Sequence, residues 1–118
     1  MIVTNEHIKN IDIAVDYFLK HHSKGYDRRD EAICRQYADH ARKSLKKHCD
    51  EISSIEIDAL CTALISYAEF IESSALISDK SSADNVYNTI LDLNDAVKET
   101  RLQMPADDEE LILKITYQ

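Results

Sequence analysis

Five histidines, three cysteines and a cluster of arginines and lysines are the residues of this 118-residue chain whose side chains could do chemistry. Histidine can take up a phosphoryl group or move a proton near neutral pH. Cysteine can attack an electrophile or hold a soft metal. Spacing decides whether such residues can act together. His21 and His22 are adjacent, so on a helix they point to different faces and are poorly placed to share one ion. No histidine has a glutamate three residues before it, which removes the Glu-x-x-His pairs of di-iron bundles. Cys34, Cys49 and Cys61 lack CxxC spacing and lie among apolar positions, so they are expected to pack as small apolar side chains. One glycine leaves no room for a glycine-rich phosphate loop. Neither a metal nor another cofactor is expected.

Two local patterns remain. His21-His22-Ser23-Lys24-Gly25 resembles the H-x-x-K-G pattern of histidine phosphotransfer domains, which are four-helix bundles of similar size. That resemblance implies a phosphoryl-accepting His21, with Lys24 offsetting its charge and Gly25 admitting a partner. Arg35-Gln36-Tyr37-Ala38-Asp39-His40 is similar to the arginine–histidine motif of HEPN-type helical ribonucleases. That likeness implies Arg35 as charge stabiliser and His40 as acid or base, facing RNA across a dimer. The spacing is met a second time by Arg42 and His48. A net charge of −8 opposes the attraction of a polyanion, which speaks against direct nucleic-acid binding.

Charge is strongly segregated. Residues 27–49 carry seven bases against four acids, and residues 50–79 carry seven acids and no base. Arg28, Arg35, Arg42 and Lys46 recur near one helical face, with Lys43 and Lys47 beside it. Such a face is a candidate docking surface for an acidic protein or a phosphate-bearing ligand. It is equally a solvated face, or one paired with the acids Glu56, Asp58, Glu69 and Glu72. Asp107, Asp108, Glu109 and Glu110 form a second candidate surface, suited to a basic partner.

These residues must be carried by helices. One glycine and one proline in the whole chain leave too few turn residues for a sheet protein of this size. The expected fold is all-α: a single domain over 1–118, a four-helix bundle with helices about 5–22, 28–49, 54–77 and 82–103. Ile8, Ile11, Val15 and Phe18 form the stripe of the first helix, which Thr4 or Asn5 can cap. Cys34, Ala38, Ala41 and Leu45 form a thin stripe on the second, with Ile33 and Tyr37 beside it, and Asp27 is placed to cap it. The third is the most apolar and should be central, entered by a capping box at Ser53–Glu56. Ser81 or Ser82 is placed to cap the fourth, and Pro105 follows it. Residues 108–117 are read as a short helix or strand. Acidic residues open that segment as they would a helix, yet Leu111, Leu113, Ile115 and Tyr117 alternate as in a strand. Helix is preferred, because a lone strand has no evident sheet to join.

No apolar run is long enough to span a membrane. No signal peptide is visible, and three cysteines suit a reducing compartment, so a cytoplasmic location is expected. The leading expectation is an acidic, regulatory, non-enzymatic interaction protein, a homodimer that binds or inhibits another macromolecule, such as a nucleic-acid-handling protein. The apolar residues Leu91, Leu102, Leu111 and Leu113 lie off the expected seams and suggest surface for a partner or a second subunit. The alternative is an enzyme or phosphorelay component using His21, or Arg35 with His40.

Overall fold

The computed structural model describes residues 1–21, 28–73, 80–103 and 110–118, apart from the side chains of residues 28, 29, 80 and 81. The elements run β1 (Ile2–Val3), α1 (Asn5–Lys20), α2 (Arg28–Lys46), β2 (Glu51–Ser53), α3 (Ser54–Ser73), α4 (Lys80–Gln103), β3 (Ile112–Lys114) and β4 (Thr116–Tyr117). The fold is an all-α four-helix bundle carrying short strands. α1 stops at Lys20, short of the expected 22, because His21 is extended and its amide closes the last turn on the Tyr17 carbonyl; the expected end at 77 and the Asp27 cap lie outside the described residues. The fourth helix starts at Lys80, so Ser81 and Ser82 sit inside it rather than capping it.

Local chemistry sets the observed boundaries. The Thr4 hydroxyl accepts from the His7 amide while His7 Nδ1 accepts from the Thr4 amide, a capping box closed by histidine. α2 stops at Lys46, short of the expected 49, because His48 takes a left-handed conformation, φ 55°. The His48 and Cys49 amides then donate back to the Leu45 and Ser44 carbonyls, the double closure of a Schellman end. Glycine ordinarily fills that position, since a Cβ there is costly. Here the His48 ring stacks on Tyr117, centroids 4.3 Å apart. Ser53 caps α3, its hydroxyl accepting from the Glu56 amide at 3.2 Å.

α3 is central, as its composition predicts. Ile57, Leu60, Cys61, Leu64, Ala68 and Ile71 are all buried, and α3 packs against α1, α2 and α4. α2 contributes Ala38, Ala41 and Leu45, each fully buried, so its thin stripe is compensated by close approach. A buried hydrogen bond from Asn10 to the Thr89 hydroxyl ties α1 to α4.

The C-terminal segment corrects the preference for helix. β3 runs antiparallel to β2, with Ile52 opposite Leu113, and β4 runs parallel to β1, with Val3 opposite Tyr117. The partners are pieces too short to be read as strands alone, one of them embedded in the α3 capping sequence. Leu111 and Leu113 are therefore buried in the core, not spare surface, whereas Ile112 and Lys114 are exposed. The Ser54 amide donates to the Leu111 carbonyl and the Leu111 amide to the Ser54 hydroxyl, clasping the segment to the start of α3.

Leu64 is 0% exposed and its neighbour Ile65 is 42% exposed. Leu64→Ala should therefore lower unfolding free energy by about 2–5 kcal/mol, and Ile65→Ala by about 1 kcal/mol or less, in urea titrations followed by circular dichroism.

Candidate functional site

α2 presents its two long sides to different surroundings. Positions 35, 39, 42, 43 and 46 turn toward α1. There Arg42 bonds to Asp16 and Asp39 and lies 3.6 Å from Asp12. Lys43 meets Asp39 at 2.9 Å, and Lys46 meets Asp12 at 3.4 Å. The cations expected to pair with α3, or to face a partner, are thus held mainly by α1 and by Asp39. Lys47 is exposed beside them. The Lys43 ammonium bonding to Asp39, with help from Arg42, holds that carboxyl below its usual range against the opposing effect of burial.

Arg35 is built into the scaffold. It meets the buried Glu31 at 2.8 Å, donates at 2.8 Å to the His21 carbonyl that ends α1, and lies 5.7 Å over the Phe18 ring. A cation at that carbonyl complements the helix dipole. His40 emerges on the other side of α2, 3.3 Å from Glu56 of α3. Arg35 and His40 are therefore not brought together within one chain. The exposed His21 stacks on Tyr17, which also stacks on Phe70. Lys24 and Gly25 lie outside the described residues, as do Asp107, Asp108 and Glu109, and the Arg28 side chain is not described. Glu110 is exposed just before the buried Leu111.

Nucleophile chemistry is disfavoured at two cysteines. Burial pushes the Cys61 thiol up to about 12, and burial likewise raises that of Cys34, so both are neutral thiols near pH 7. Among the described residues there is no cluster of three or more histidine, cysteine or acidic side chains arranged for a metal. No described helix is long and apolar enough to cross a membrane.

The groove side of α2 is different. Ile33 and Tyr37, one turn apart, face the start of α3 and line two adjoining clefts. One, of about 240 Å³, is completed by Asp30, Cys34, Ile55, Asp58, Ala59 and Thr62. The other, of about 570 Å³, is completed by Gln36, His40 and Glu56. Ile33, Tyr37 and Ile55 are 46%, 41% and 39% exposed. Along α3 the same side continues as Ile55, Asp58, Thr62, Ile65, Glu69 and Glu72 at three- and four-residue steps, none of them buried. Among the described residues this stripe of α3 is only partly covered: Thr62 is half-buried beside Cys34 of α2, and Tyr87 of α4 donates to Glu72 at 3.3 Å. Leu91 and Leu102 of α4 are exposed as expected, at 57% and 87%.

Sequence reasoning placed Ile33 and Tyr37 beside the α2 stripe without treating them as a site. The available signal was their position: Ile33 and Tyr37 stand beside the thin stripe of Ala38, Ala41 and Leu45 rather than in it. Ile55 gave no comparable signal, because it sits one step off the buried α3 stripe within a capping sequence.

Compared with family models, curated proteins and solved structures, the chain finds no match.

Arg35→Met should destabilise the fold, by at most about 3–5 kcal/mol, because it takes a cation away from a buried carboxylate. Adding Glu31→Gln to that variant should restore part of the loss in the same urea titration. Asp39 gives a second expectation. Its carboxyl titrates lower in the folded chain than in the unfolded one, so its contribution is present above the unfolded value of about 3.9 and lost as pH falls through the folded value. Stability of Asp39→Asn should accordingly fall less steeply than that of the parent between pH 5 and acid, measured by chemical unfolding at stepped pH.

Proposed function

We propose that the protein is a helical interaction module that binds another protein along the α2–α3 groove, and that it acts by binding rather than by catalysis. The observation that carries this reading is the groove itself. Three large apolar side chains, one of them tyrosine, stand together on rigid helices and line a cleft, which is the composition of an interface core. The reading is supported by what the reactive side chains do instead. Arg35 closes the end of α1, Cys34 and Cys61 are held as neutral thiols, and His40 pairs with Glu56. The α2 cations Arg42, Lys43 and Lys46 also pair with Asp12, Asp16 and Asp39 on the side toward α1, away from the groove.

A photo-crosslinking amino acid at position 37, compared with one at the exposed position 95 of α4, tests the reading in the native cell. The expected outcome is a discrete adduct from position 37 that disappears when Ile55→Ser is added, while the melting temperature stays within a few degrees of the parent. Identical adducts from both positions, or adducts indifferent to Ile55→Ser, would sink it.

A further inference from the structure

We infer that the occupant of the groove is an amphipathic helix with a cationic border, presented by a different protein; this rests on the reading of the groove as a docking site. Among the described residues the two clefts are lined by three carboxylates, Asp30, Glu56 and Asp58, and by no lysine or arginine. The deficit of cations extends along α3, whose 20 residues include four acids and no base. It arises from the fold as well as from composition. Three described cations of α2 that could have neutralised the groove, Arg42, Lys43 and Lys46, lie the other way, held by Asp12, Asp16 and Asp39. Among the described residues, an apolar floor whose charged border is acidic apart from His40, itself beside Glu56, is thereby left on one side of the bundle.

Shape and spacing favour a helix as the occupant. The anchors Ile33 and Tyr37 lie one turn apart on α2, and on α3 apolar and acidic positions interleave at helical steps. A docked helix would seat residues spaced three and four apart against that floor, while flanking lysines or arginines reach Asp30 and Asp58. A second copy of this chain fits poorly. A two-fold contact through the groove would set the same carboxylates against one another, and like charges across an interface are costly.

The test uses the full chain and two synthetic peptides of roughly five turns, with leucines at the same three- and four-residue steps and either lysine or glutamate at the flanks. Binding is read by fluorescence anisotropy, and self-association by analytical ultracentrifugation. The lysine peptide should bind at one site, weaken about tenfold on Tyr37→Ser, weaken severalfold on Asp58→Asn, and remain unchanged on Asp95→Asn, a control on α4. Each variant must keep the parent's thermal unfolding. If Asp58→Asn and Asp95→Asn weaken binding alike and Tyr37→Ser does not, the attraction is diffuse and the inference is overturned. A glutamate peptide that binds equally well, and depends on Tyr37, overturns the cationic occupant while leaving the groove as a docking site. A dimer abolished by Tyr37→Ser makes the occupant a second copy and also overturns it. If neither peptide depends on Tyr37 and the position-37 adduct is absent as well, the docking reading fails with it.

Discussion

Burial of α3 is the constraint on which the remaining structure depends. A helix whose apolar residues spread over so much of its surface must be covered from several directions, and here α1, α2 and α4 all pack on it. Each of the other helices needs only one stripe for that purpose, which is why α2 can carry so few apolar residues and still belong to the core. Ala38 and Ala41 let its backbone approach where larger side chains would hold it off. Three neighbours do not close a circle around α3, however. Among the described residues the stripe from Ile55 to Glu69 is left largely exposed, and the groove is the consequence.

Charge follows the same geometry. The acids of α1 and the cations of α2 meet across their shared boundary, with Asp39 of α2 joining them, whereas on α3 Asp58 and Glu69 are exposed, Glu56 meets His40 and Glu72 accepts from Tyr87. Segment totals showed that bases precede acids along the chain, but not which neighbour each base would choose. The choice is made by rotation of α2 about its axis. Burying Ala38, Ala41 and Leu45 against α3 turns Arg42 and Lys46 toward α1, and the hydrophobic demand outweighs pairing among exposed ions.

The helices and their stripes were legible in sequence because periodicity over fifteen or more residues is a strong local signal. The central role of α3 and the Ser53 cap were legible for the same reason. The strands were not, since Ile2–Val3 and Glu51–Ser53 are too short to declare themselves, and each acquires its character from a partner far along the chain. The alternation at Leu111 and Leu113 was visible, but without those partners it competed with helix-start chemistry. The groove was only half visible. Ile33 and Tyr37 could be seen to flank the thin stripe of α2, while Ile55 joins them only through the crossing of α2 and α3.

The left-handed His48 has a consequence for how the chain assembles. Its ring rests on Tyr117, and the Tyr117 hydroxyl donates to the carbonyl of Cys49, 68 residues away in sequence. The end of α2 is thus secured by a residue that arrives only after α3 and α4 have been traversed. Closing so long a loop costs entropy before any contact repays it. The helices can gather through nearer contacts, but the turn after α2 reaches its final form late, together with the ribbon of β1 to β4. Those two regions should open and close as one cooperative unit, a slow latch on a bundle assembled from more local parts.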